Sequence, residues 1–229
     1  MSLASDRARL LEMLRSLSFE RRRVILASGK ESDFYVDCKR TALTAEGHAL
    51  VGRLLLDRIR RLHPPPRGAG GLTLGADPLA SAVAMASWLE VERWRAERAA
   101  EEAGSARRRA EAKPERSDDP GGPRPPGQMT LHPPGPIDAF IVRKEPKGHG
   151  TGQWIEGRRT LPDGSRVVVL EDVVTSGGSA LKAIERCRAE KLEVVGCFAL
   201  VDRLEGGREA IEAQGVPLDS LFTREDFPG

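Results

Sequence analysis

Glu171 and Asp172 stand side by side in the run V-V-V-L-E-D-V-V-T-S-G-G-S that covers residues 167–179. Adjacent carboxylates offer hydrogen-bond acceptors to the vicinal hydroxyls of a sugar. Val173 and Val174 separate them from Thr175, Ser176, Gly177, Gly178 and Ser179, a small-residue loop whose backbone N–H groups a phosphate can approach closely. Diol and phosphate together describe a ribose phosphate. A second set of side chains suits the chemistry of a departing anion. Arg143, Lys144, Lys147 and His149 fall within seven residues, interleaved with Gly148, Gly150 and Gly152. A flexible cationic segment can close over a charged leaving group, exclude water and reopen for release. Two commoner glycine loops are excluded. No lysine follows Gly177-Gly178 as a Walker A loop requires, and no G-x-G-x-x-G run precedes a distant acid. The plain alternative is a strand–helix turn in which Ser179 is only an N-cap.

The elements that must carry these residues follow from periodicity. Val167 to Leu170 is a β-branched run that reads as a strand, and Leu181, Ile184 and Cys187 set one apolar face of a helix from about Ala180. Upstream, residues 5–17 read as an amphipathic helix, and residues 23–27 and 34–38 as two extended runs around Ser28-Gly29. Thr44 caps a helix whose buried side carries Leu50, Val51, Leu54, Leu55, Ile59 and Leu62, and Pro64-Pro65-Pro66 stops it. Residues 72–75 read as a brief strand, and Gly75-Ala-Asp-Pro78 turns into a helix through Met85. Residues 137–142 and 194–201 complete an alternation of strands and helices. The pattern predicts an α/β fold with a mostly parallel central sheet flanked by helices. In such sheets ligands bind at the carboxyl ends of strands, and each candidate loop follows a predicted strand.

A chain of 229 residues is expected to form a single domain, spanning 1–229, with a net charge of only +2 that argues against a nucleic-acid or membrane partner. Cys38, Cys187 and Cys197 form no C-x-x-C pair, which suits a reducing cytoplasm. The N-terminus lacks an uncharged apolar signal segment, and no 18 apolar residues run together. Residues 89–135 break the pattern: Arg, Glu and Ala dominate first, then Pro and Gly. This reads as an insertion, a charged helical extension followed by an extended return.

The 167–179 segment resembles the phosphoribosyl-diphosphate (PRPP) motif of type I phosphoribosyltransferases. Two further segments, F-I-V-R-K-E-P-K-G-H-G-T at 140–151 and S-G-K-E-S-D-F-Y-V-D at 28–37, narrow the resemblance to the orotate phosphoribosyltransferase family. The resemblance implies that fold with a small N-terminal hood segment, and transfer of phosphoribose from PRPP to orotate, giving orotidine 5-phosphate and diphosphate with Mg²⁺ as cofactor. By the same resemblance Lys147 and His149 are catalytic. PRPP binding falls to them, to Arg143 and Lys144, and to Glu171, Asp172, Val173, Val174, Thr175, Ser176, Gly177, Gly178 and Ser179. Thr175 and Arg203 would contact orotate, Arg203 gripping its carboxylate with a planar guanidinium. Asp77 would reach the metal through water, and Phe34 or Tyr35 would pack against the pyrimidine ring. A homodimer whose catalytic loop crosses the interface is also implied. The chain departs from the family at Ala27 and near Pro78 or Leu79, where some members carry lysine, and Lys30 is the nearby substitute. A purine-base transferase and a nucleotide-sensing regulator on the same fold are the competing readings.

Overall fold

The computed structural model describes residues 2–25, 31–111, 134–146 and 153–228. Helix α1 (Leu3–Met13) is followed by a π-helical turn (Leu14–Ser18) and by strands β1 (Phe19–Ile25) and β2 (Glu31–Val36). These two strands pair antiparallel, with Phe19 opposite Val36, as a hairpin separate from the main sheet. A short α2 (Lys39–Ala42) leads to α3 (Ala45–Ile59), where the Thr44 side chain accepts from Gly47 N at 3.0 Å as its N-cap. The main sheet contains β3 (Gly68–Leu72), β4 (Asp138–Val142), β5 (Ile155–Glu156), β6 (Arg166–Val174), β7 (Glu193–Asp202) and β8 (Leu218–Thr223). Its order is β5-β4-β3-β6-β7-β8, parallel throughout except for β5 against β4.

Alternation along β6 assigns the two cores. Val168 and Leu170 join α1, α3, α4 (Asp77–Glu111) and Phe34 on one face. Val167 and Val169 join α5 (Gly178–Ala189) and α6 (Gly207–Glu212) on the other. The hairpin is fixed to the body by an aromatic cluster of Phe19, Phe34 and Phe227, with ring centroids 5.2 to 5.4 Å apart.

Several boundaries differ from the sequence reading. The strand expected at 72–75 is Gly68–Leu72, a G-A-G-G-L segment of low strand propensity. It sits in mid-sheet because backbone comes too close for side chains: a Cβ on Gly70 would strike the Phe140 carbonyl oxygen, and one on Gly71 that of Leu170. β6 continues through both acids to Val174, since its ladder with β7 pairs Glu171 with Ala199 and Val174 with Asp202. The helix expected through Met85 and the charged helical extension expected from Leu89 form one continuous 35-residue element ending at Glu111. β5, α6 and β8 were not anticipated: β5 is two residues long and pairs with β4, while β8 pairs with β7 and α6 packs against β7 and the phosphate loop. No helix among the described residues is long and apolar enough to cross a membrane.

Candidate active site at the carboxyl edge of the sheet

Asp172 is the point where three segments meet. Its Oδ1 accepts from Val173 N at 2.9 Å, and its side chain keeps 15% of its exposure. Gly75, in the turn between β3 and α4, abuts it: a Cβ there would lie 2.5 Å from Asp172 Oδ1. Glycine is therefore what lets the turn after β3 touch the acid after Glu171. From the hood side, Lys39 Nζ stands 3.8 Å from Asp172 Oδ2 and 2.8 Å from Asp37 Oδ1. The hydrogen bond to Asp37, aided by the charge of Asp172, raises the Lys39 ammonium above its ordinary pKa.

Glu171 behaves differently from its neighbour. It is buried to 6% exposure, and β-alternation turns it to the face that carries Cys197. Burial first, then the charge of Asp172, pushes its carboxyl up to about 9, so in the unliganded chain it is protonated at neutral pH. One acid of the pair is thus a presented carboxylate. The other is a buried carboxyl able to donate as well as accept.

The phosphate loop runs from Thr175 to Gly177. Gly177 takes φ +80° and caps α5, its carbonyl accepting from Leu181 N at 2.9 Å. The cap is Gly177, not Ser179. A side chain at Gly177 would suffer twice, from the left-handed backbone and from the Gly207 carbonyl 3.0 Å away. Ser176, Gly178 and Ser179 are exposed, and the first-turn N–H groups of α5 lack acceptors within the helix. This is an anion-accepting arrangement beside the acid pair.

The cationic segment leaves the sheet at the end of β4 and returns on β5, with Val142 opposite Ile155 and Arg143 N donating to Trp154 O at 2.9 Å. Arg143 is engaged by Glu156, Nη1 to Oε1 at 3.1 Å, and Lys144 is exposed. Arg143, Lys144 and Ser179 line one cavity of about 460 Å³ together with Lys182 and Arg186, which brings the cationic loop and phosphate loop together. Lys147 and His149 lie outside the described residues, as do Ala27 and Lys30.

Asp77 begins α4. Thr73 Oγ1 donates to its Oδ2 at 2.7 Å, while its Oδ1 is buried with no hydrogen-bond partner among the described residues. A carboxylate oxygen left in that state fits a hydrated cation, the form in which Mg²⁺ usually meets protein. No group of three or more His, Cys, Asp or Glu side chains among the described residues is gathered to hold a metal directly.

Arg203, at the end of β7, donates its N–H to Val174 O at 2.9 Å, so it stands beside Thr175 at the mouth of the phosphate loop. Its side chain is 6% exposed, pairs with Glu205 at 2.9 Å and lies 5.3 Å from the Phe34 ring centroid. Phe34 is itself core, buried against Phe19 and Phe227, whereas Tyr35 is half-buried under Arg22, 3.9 Å from its ring centre. The sequence reading missed Lys39, Glu205 and Arg224. Lys39 and Arg224 follow strand ends, where a side chain can reach a sheet-edge site, but no spacing pattern marks them.

Strand order, the acid pair and loops gathered at one sheet edge place the chain among phosphoribosyltransferases of the type I architecture. A family model described as the phosphoribosyl transferase domain matches residues 131–215. An orotate phosphoribosyltransferase of Sorangium cellulosum is 44% identical over 224 residues, 98% of this chain and 94% of that one. The crystal structure of the Mycobacterium tuberculosis orotate phosphoribosyltransferase with Fe(III) dicitrate matches at TM-score 0.66 and 36% identity, covering 96% of this chain and 98% of that one. The same enzyme with PRPP matches at TM-score 0.63 and 34% identity, with the same coverage. The chain belongs to the orotate phosphoribosyltransferase family.

Proposed function

We propose that this chain transfers the phosphoribosyl group of PRPP to orotate, yielding orotidine 5-phosphate and diphosphate for pyrimidine synthesis. The bond from ribose C1 to the diphosphate oxygen breaks and a bond from C1 to a ring nitrogen of orotate forms, the nitrogen losing its proton. The observation that carries this reading is the meeting at Asp172 of the strand-end acids, the Gly75 turn and Lys39. Asp172 accepts from the ribose hydroxyls, with Glu171 behind it as a neutral carboxyl. The Thr175–Ser179 segment, including the backbone of Val173 and Val174 that leads into it, receives the 5-phosphate. Arg143 and Lys144 face the diphosphate, with Lys147 and His149 of the same segment stabilising charge as it leaves. Thr175 and Arg203 hold orotate. Asp77 would hold Mg²⁺ through water, and the ion would supply positive charge against the diphosphate.

The active form is a homodimer in which the cationic segment serves the neighbouring site. Supporting this, Leu3 of α1 and Met85 and Leu89 of α4 are exposed apolar residues lining one groove shared with α3. Three free, buried cysteines suit a cytoplasmic setting.

The direct test is a spectrophotometric assay of orotate consumption, with PRPP and Mg²⁺ each present or withheld. Consumption that needs both supports the assignment, and none under any condition defeats it. Lys147→Ala should lower kcat by roughly 100-fold or more, the scale of one lost transition-state contact, while PRPP still binds. An unimpaired rate would remove Lys147 from the mechanism.

A further inference from the structure

Arg203 is tied to the β1–β2 hairpin through a chain of charges. Glu205 Oε1 takes Arg203 Nη2 at 2.9 Å and lies 3.8 Å from Arg224 Nη1. Arg224 Nη2 in turn donates to Asp33 Oδ1 of β2 at 2.9 Å. Both guanidinium carbons sit over the Phe34 ring, 5.3 and 5.4 Å from its centroid. Side-chain exposure climbs outward along the chain, from 6% at Arg203 to 24% at Glu205, 43% at Arg224 and 67% at Asp33. We propose that Arg224 is a positioning residue that latches the β1–β2 hairpin over the base pocket, so that orotate affinity depends on its pairing with Asp33 and Glu205.

The roots of the latch support the assignment. Arg224 belongs to the body, because Thr223 N donates to Asp226 Oδ2 at 2.8 Å in a capping box and Arg7 holds Asp226 at 3.2 Å. Asp33 belongs to the hood. The inner pair, with Arg203 buried and Glu205 partly so, keeps Arg203 aimed; the outer pair is wet, weak and able to open for the base. The hairpin also keeps its aromatic contact of Phe19 and Phe34 with Phe227. Loss of the charge pair therefore loosens the hood without unfolding it.

This inference rests on Arg203 reading orotate, so the experiment includes that residue. Steady-state kinetics on Arg224→Ala and Asp33→Asn should show KM for orotate raised roughly two- to five-fold, as suits an exposed ion pair, with KM for PRPP and kcat unchanged. The double variant should be no worse than either single one, and Arg224→Lys should recover part of the loss. An unaltered orotate KM, an equal rise in PRPP KM, or multiplicative effects in the double variant would overturn the latch. Arg203→Ala separates the two levels. If it leaves orotate KM unchanged, the base-site assignment fails. If it raises that KM while the Arg224 and Asp33 variants do not, only the latch fails.

Discussion

At the scale of residues, the acid pair divides its labour by burial. Asp172 faces the site; Glu171 lies under it, and its carboxyl is pushed up to about 9 by burial and then by the charge beside it. A carboxyl whose folded pKa lies above its ordinary value of 4.5 contributes stability that is full below that value and lost as pH rises toward 9. Between those limits the unfolded chain holds fewer protons at this site, with a slope up to about 1.4 kcal/mol per pH unit. Urea unfolding of the unliganded protein at pH 5, 7 and 9 should show this decline, and Glu171→Gln should flatten it. An identical decline in the variant would place the proton elsewhere. Among the described residues, Lys39 supplies a cation that pairs with Asp172, 3.8 Å away. Lys39→Met should raise KM for PRPP by roughly three- to ten-fold, the worth of a half-exposed charge contact. Orotate KM should hold steady; a change confined to orotate would move Lys39 out of the ribose site.

At the scale of elements, the strand that leads into the Gly75 turn is built almost without side chains. Gly70 and Gly71 of β3 sit where the backbones of β4 and β6 leave no room for a Cβ, and Ala76 also crowds Gly71. Gly71→Val should cost about 2 to 4 kcal/mol of stability, read from the urea midpoint, because rigid backbone must give way. A loss below about 0.5 kcal/mol would mean that β3 shifts freely, and that its turn is not held against Asp172 by packing. The short β5 has an equally mechanical part. By pairing with the end of β4 it returns the chain beside its point of departure, so the cationic segment is anchored at both ends.

At the scale of the molecule, both faces of the sheet carry a core, yet the groove on α3 and α4 keeps apolar side chains in water. Met85 is 58% exposed and Leu89 50% exposed, on a helix whose later turns are charged. A second copy of the chain is the occupant the proposed function calls for. Met85→Glu with Leu89→Glu should shift the protein toward monomer in light scattering and lower activity at dilute enzyme. A dimer unchanged by both charges would locate the interface elsewhere.

The chemistry was legible because it is local. The acid pair, the glycine bend and the R-K-E-P-K-G-H run each concentrate one kind of interaction within a few neighbouring residues, and strand–helix alternation follows from side-chain periodicity alone. Which acid faces substrate was not legible, since it depends on which layer of the folded sheet each side receives. The glycine strand, the pairing of β5, Lys39 beside Asp172 and the Arg203–Glu205–Arg224–Asp33 chain were equally hidden. They join residues up to 191 positions apart, as with Arg224 and Asp33, and only packing of sheet, helices and hood decides such encounters.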